Sequence, residues 1–213
     1  MRNDYRVRVN TDTMRNFLQE SKYVDYSASI VIEKARTLFN SNFDAIQKTR
    51  VAYVFVRDSI PHSFDIKAEV ITAKASDVLL HGTGICHAKA NLLTALLRSQ
   101  GIPSGFCFQR LTRVGDDSKG YCVHCYNAAW LDGHWVKLDA RGNTNGKNAQ
   151  FSLEEPILAF PCRSQYQEYF LPGIYANPHV ETMHVLERAG SLQEVLDNFP
   201  DMVNAPPDVV CEG

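Results

Sequence analysis

Cys86 stands directly after Gly84-Ile85 and opens the run CHAKANLLTALLRSQ, residues 86–100. The run is rich in alanine and leucine, with apolar side chains over most of its circumference, so a largely buried helix is expected. A thiol at a helix start meets unpaired backbone amides and the positive end of the helix dipole, and both favour the nucleophilic thiolate. The same amides can hold the oxyanion of a tetrahedral intermediate, and the glycine upstream lets a substrate come close to the chain. Such a nucleophile needs a general base and a group that orients the base.

His124 and Asp139 are the candidates. His124 lies in YCVHCYNAAWL, residues 121–131, and Asp139 in HWVKLDA, residues 134–140, both of which read as strands. Asp132-Gly133 between them is a two-residue hairpin signature, because both turn positions need positive φ. With those two as the loop, Leu131 faces His134, Tyr126 faces Asp139 and His124 faces Arg141. Residues two apart share a face, so His124, Tyr126 and Asp139 point the same way, with His124 and Asp139 diagonal neighbours about 7 Å apart at the backbone. A carboxylate can reach an imidazole nitrogen across that gap, fix its tautomer and stabilise its protonated form. The residue types therefore point to Cys86 as nucleophile, His124 as base and Asp139 as orienter, a chemistry that requires no cofactor.

Other candidates divide between chemistry and packing. His62, in PHSFD, either donates to the oxyanion, lines the cleft or simply packs. Arg110, Arg113 and Arg141 offer charges for a substrate carboxylate, although arginines at strand ends are usually just solvated. His87 is one helical position beyond Cys86 and so points about 100° away, which argues against its serving as the base. Cys122 and Cys125 flank His124 like part of a zinc site, but on a regular strand Cys125 faces away from Cys122 and His124, so no metal site is expected. Trp130 and Trp135 pair at the turn end of the hairpin, roughly 20 Å along the strand from His124. With no tryptophan near the nucleophile to wall the approach of an amine, hydrolysis is expected over cross-linking.

The elements that must position these residues are legible on either side. SASIVIEKARTLFN (27–40) and DAIQKTRVAYVFVRD (44–58) have helical spacing, and Pro61 ends the second. Residues 75–80 form a short turn or helix. Gly101 and Pro103 stop the cysteine helix, GFCFQRL (105–111) is a strand, and a charged loop over 114–120 leads into the hairpin. The expected class is α+β, a central cysteine-bearing helix packed on an antiparallel sheet, preceded by helices.

Composition sets the outer bounds. The chain has 213 residues, 45% hydrophobic and 22% charged, with a formal net charge of −2, which offers no broad attraction for nucleic acid or anionic lipid. Residues 1–10 carry Arg2, Asp4, Arg6 and Arg8 with no apolar stretch behind them, so neither a secretory signal nor a membrane anchor is expected and a cytoplasmic location is. Six cysteines at this length, without an export signal, read as thiols. One domain is expected over 1–213, with a helical part at about 11–60, a catalytic core at about 61–175 and a C-terminal extension over 176–213.

The chain resembles the bacterial transglutaminase-like proteins, often described as cysteine-protease candidates, whose core is related to papain-like enzymes. The resemblance rests on VRDSIPHSFDI (56–66), GTGICHAKANLLTALLRSQGIPSGFCFQRL (82–111), VHCYNAAW (123–130), WVKLDARGN (135–143) and FSLEEPILAF (151–160). It implies a papain-like transglutaminase core with Cys86, His124 and Asp139 as its catalytic set, and it places the His62 segment beside the site. His62 and Arg141 are then candidates for oxyanion or substrate contacts. The expected activity is cysteine-dependent acyl transfer or hydrolysis of an amide in a peptide, protein or small molecule. A small-molecule acyltransferase on the same core and a retired fold used as a binding module are the alternatives. Ala-Arg-Gly-Asn after Asp139 and Cys125 after His124 depart from other branches, so those branches' substrates do not transfer.

Overall fold

In the computed structural model, residues 11–113 and 115–209 are described; the segment 1–10, Val114, and 210–213 with Cys211 lie outside them. The chain opens with helices α1 (Thr11–Asn16), α2 (Ser29–Leu38) and α3 (Ala45–Ser59). α3 begins on a capping box, in which the Asp44 carboxylate accepts the Gln47 amide at 2.7 Å and the Gln47 side chain accepts the Asp44 amide at 3.0 Å. Pro61 follows its end, as the missing amide hydrogen of proline predicts. Two short helices, α4 (Ser63–Ile66) and α5 (Ala75–His81), lead to α6 (Cys86–Arg98).

Every residue of α6 from His87 to Arg98 is buried, so the helix is the centre of the molecule. Leu92, Leu93, Leu96 and Leu97 are fully covered, each contributing about 1.5–3 kcal/mol by burial. The helix packs on the sheet on one side and against α3 and α5 on the other. Beyond its last turn Gly101 takes φ +72°, and the Ile102 amide donates back to the Leu97 carbonyl at 3.1 Å.

The sheet is antiparallel in the order β3-β2-β1-β4, from β1 (Ser104–Thr112), β2 (Tyr121–Leu131), β3 (His134–Leu138) and β4 (Tyr169–Phe170). Asp132 and Gly133 both take positive φ, +47° and +84°, and Leu131 pairs with His134. The ladder ends at Asn127 opposite Leu138, two residues short of the expected strand end. Asp139 leaves the ladder because its carboxylate accepts backbone amides from Arg141 at 3.1 Å and Ala159 at 2.9 Å, which turn the chain away from β2. Helices α7 (Val180–Arg188) and α8 (Leu192–Asn198) follow, and Met183, Leu186, Val195 and Phe199 form a satellite cluster with Ala73 and Ile85, beside the start of α6. The architecture is α+β, with the cysteine-bearing helix packed on an antiparallel sheet. No described helix is long and apolar enough to cross a membrane.

Candidate active site

Two chain segments meet at the start of α6. Residues 61–63 run parallel to 83–85 through a bridge between His62 and Gly84, with the Ser63 amide donating to the Gly84 carbonyl at 3.2 Å. Thr83 fastens the pair, its hydroxyl donating to the Pro61 carbonyl at 3.0 Å and lying 3.1 Å from the Ser63 hydroxyl. A Cβ on Gly84 would press on Ala88, Thr72 and Val78, each at 3.2 Å, which explains the glycine. This contact puts the His62 ring under the helix start, where its Nε2 accepts the Cys86 amide at 3.1 Å. His62 is buried and stacks on Phe64, and burial holds its pKa below the ordinary value, so it is neutral. Its Nδ1 has no partner among the described residues.

His124, on β2, and Asp139, just past β3, come together as the hairpin requires: His124 Nε2 lies 2.9 Å from Asp139 Oδ2. Both are buried. Burial raises the Asp139 carboxyl, but His124 and the two backbone amides outweigh it and bring the group below its usual range. For His124 burial lowers the pKa, and Asp139 and Cys86 reverse this, so the imidazole is held protonated at neutral pH. The Phe160 ring meets the imidazole edge-on at 4.9 Å between centroids.

Both imidazoles act on Cys86. Burial alone would raise its thiol; His87, then His124, drive it well below the ordinary value, with hydrogen bonding from His124 and His62 adding to them. The site therefore holds a thiolate facing an imidazolium whose other nitrogen bonds a carboxylate. His87 is nearer than its helical position suggests, with Nδ1 3.4 Å from the Cys86 sulfur. The 100° between successive Cα–Cβ directions does not limit a ring that folds back toward the helix start, and Phe108 and Phe199 pack on the ring there. This corrects the expectation that His87 points away.

The remaining candidates are placed differently. Arg141 lines the cavity beside Cys86, but its guanidinium makes a two-pronged ion pair with Asp65, Nη2 to Oδ1 at 2.8 Å, and Nη1 also donates to Thr144 at 3.1 Å. Asp65 is correspondingly held far below the carboxylate range. Arg110 bonds the Gln167 carbonyl and stacks on Tyr121. Cys122 shares the cavity face with His124, while Cys125 lies in the core. Burial raises Cys122 to about 11 and holds Cys125 well above the ordinary thiol value, leaving both as inert thiols. Cys86, Cys122, Cys125 and Cys162 are free thiols.

Three features take roles that had no signal in the sequence. Lys89, one turn beyond Cys86, is 1% exposed, and its Nζ donates to the Ile60 carbonyl at 2.5 Å and the Arg141 carbonyl at 2.9 Å. Arg113 bonds the carbonyls of Tyr121, Leu196 and Phe199. A cavity of about 490 Å³ opens on Cys86 and His124, with Phe64, Phe160 and Phe199 in its wall. These aromatic residues are phenylalanines remote from Cys86 in sequence, so the absence of a tryptophan near Cys86 does not signal them. Trp130 and Trp135 do pair with each other at the turn end of the hairpin, ring centroids 5.4 Å apart.

The sequence profile of the Transglutaminase-like superfamily matches residues 32–140, just over half of the chain, a span that contains His62, Cys86, His124 and Asp139. None of the curated proteins matches the chain. Among solved structures it is similar to a cysteine-protease candidate from Cytophaga hutchinsonii, with a TM-score of 0.46 at 19% identity over 63% of this chain and 43% of that one. It is also similar to an arylamine N-acetyltransferase from Bacillus cereus described with a Cys-His-Glu catalytic triad, at TM-score 0.37 and 10% identity over 62% and 49% of the two chains. A TGase gives 0.37 and 12% over 71% and 38%. The chain thus spans less than half the length of each of these three proteins.

Proposed function

The chain belongs to the transglutaminase-like superfamily, and from that premise we propose that it is a cysteine-dependent enzyme that hydrolyses amide bonds through a thioester on Cys86. The Cys86 thiolate attacks the amide carbonyl carbon, forming the S–C bond and an oxyanion. Protonated His124 gives its proton to the leaving nitrogen as the C–N bond breaks, and the amine departs. Water then attacks the thioester, His124 takes its proton, and the C–S bond breaks to release the acid and restore the thiolate. Asp139 orients His124 and stabilises its charge throughout.

The observation that carries this reading is the joint placement of Cys86 at an uncapped helix start and of His124 on Asp139 at 2.9 Å. His62 is a positioning candidate for the oxyanion. It accepts the Cys86 amide at rest, so that amide serves an oxyanion only after the ring yields it. Arg141 supports the same corner through Asp65, two residues beyond Ser63, with its guanidinium already paired. Substrates of the peptide or protein amide type fit the family, and a small amide uses the same chemistry.

Water is the favoured acceptor because the Cys86 side chain stays partly exposed, so water reaches the thioester. The aromatic wall removes the earlier ground for that preference, the lack of tryptophan, and makes the acceptor a direct experimental question. Incubation with a peptide-amide library, with and without a millimolar primary amine, followed by intact mass, reads it. A thioester on Cys86 that is absent from Cys86→Ala, with free acid as product, supports the reading. Amine adducts dominating over acid make the protein a transferase, and no adduct with rapid iodoacetamide labelling of another cysteine overturns Cys86 as nucleophile.

A further inference from the structure

The cavity beside Cys86 is lined by residues of two origins. Ile85, Leu111 and Val123 belong to the span matched by the superfamily, whereas Phe160, Leu196 and Phe199 come from the chain after it. Each arginine and glutamate side chain on the described lining already has hydrogen-bond partners within the protein, and Arg141, Arg163 and Glu168 are ion-paired. Arg141 is paired with Asp65. Arg163 is paired with Glu168, which also accepts the amide and hydroxyl of Thr112 at 3.0 and 2.8 Å. Arg113 has three carbonyl partners. A substrate carboxylate or ammonium would enter without a partner or break one of these sets, and an unpaired charge out of water is strongly disfavoured. Leu196 keeps 40% of its surface exposed on this wall, surface that a bound apolar group would cover.

We propose that the acyl group accepted by Cys86 carries an apolar side group, of leucine or phenylalanine type, seated against Leu111, Phe160, Leu196 and Phe199, and that α8 sets this preference. The inference rests on Cys86 being the acyl-accepting nucleophile. The cavity volume of about 490 Å³ is in the range of small-ligand sites and exceeds what one such side group fills, leaving room for the flanking chain. Arg113 makes the wall a fixed one. It ties the carbonyls at the end of α8 to the start of β2, and the Val123 amide donates to the Pro200 carbonyl at 3.1 Å, one residue from His124.

The test uses p-nitrophenyl esters of N-acetyl-phenylalanine, -leucine, -alanine, -aspartate and -lysine. Each acylates the sulfur as its C–O bond breaks and p-nitrophenolate leaves. Acylation of Cys86 is followed by intact mass, with each rate divided by that of the same ester with free cysteine. Phenylalanine and leucine esters should react at least about tenfold faster than aspartate and lysine esters, the discrimination an apolar pocket gives for a small change in side group. Because Leu196 is exposed, Leu196→Lys should fold, and it should shift the aspartate-to-leucine ratio about tenfold toward aspartate. Equal normalised rates across the panel, with iodoacetamide still labelling Cys86 at neutral pH, overturn this inference and leave the nucleophile standing. A ratio unmoved by Leu196→Lys removes α8 as the selecting wall and overturns it too. No thioester from any ester, with Cys86 labelling that rises only near pH 8 to 9, overturns this inference together with the proposed function.

Discussion

Two imidazoles act on the Cys86 sulfur, and they differ in what stands behind them. His124 is backed by the Asp139 carboxylate, whereas the Nε2 of His87 is buried with no partner among the described residues. His87 can hold the thiolate at rest, while in the proposed reaction only His124 has a charge to support it as it cycles between acid and base. The iodoacetamide rate of Cys86 should accordingly stay near its plateau at pH 7, where a free thiol of pKa about 8.5 has already lost most of its thiolate. In His87→Gln the rising limb should move to higher pH, because the amide keeps a hydrogen bond but not the imidazole's pull on the thiolate. A limb that does not move assigns the depression to His124 alone. Lys89 gives a second prediction at this scale. Burial, and then Arg141, lower its pKa from 10.5 to about 7, so between those values the unfolded chain holds a proton that the folded chain has released. Its contribution to stability therefore rises with pH across that window. Lys89→Met should remove that rise, seen as urea midpoints against pH that diverge from wild type above pH 7. It should also cost about 1–3 kcal/mol, because the Ile60 and Arg141 carbonyls lose their donor.

At the scale of elements, the β2–β3 hairpin is the part of the site that sequence reasoning resolves best. Asp132-Gly133 admits one short turn, the turn fixes the register, and the period of two places His124 and Asp139 on one face. Only the end of β3 escapes, because the amides that draw Asp139 off the ladder belong to Ala159 and Arg141, and nothing local announces Ala159 as a partner. The helix start was equally legible, since Gly84 and the alanine-leucine run are adjacent in the chain. The aromatic wall was not, and His62 was legible only as one candidate among several, because the contacts that place them span tens of residues, as between His62 and Cys86 or His124 and Phe160. Asp139→Asn tests the element. It keeps the shape but loses the charge that stabilises imidazolium, and it turns an NH₂ toward one of three donors now facing the carboxylate. Turnover should fall by about 10²–10⁴-fold, and the Cys86 labelling limb should move to higher pH as His124 loses its proton more readily. An unchanged limb with unchanged turnover would show that Asp139 neither charges nor orients the base.

For the molecule as a whole, the chemistry and the cavity come from different stretches of chain. Residues 32–140 hold the thiolate, the imidazoles and the carboxylate, while the part after 140 returns across the sheet edge to close the cavity with Phe160, Leu196 and Phe199. Only a few directed bonds hold α8 there, and Arg113 supplies most of them, to Leu196 and Phe199 with its Nε on Tyr121 of β2. Those carbonyls are at the end of α8, where a cation is favoured by the helix dipole as well as by hydrogen bonding. Val195 and Phe199 also bury apolar surface against Ile85 and Ala73, so loss of the clamp should loosen α8 without releasing it. Arg113→Ala should therefore raise hydrogen exchange over 192–199 by about tenfold or more, the equivalent of one lost charged hydrogen bond, while amides of α6 keep their protection. Acylation by the leucine and phenylalanine esters should slow in parallel, because the wall they rest on is no longer fixed. Protection over 192–199 that matches wild type would mean that the apolar cluster alone holds α8, and that Arg113 neutralises the end of a helix without setting the shape of the cavity.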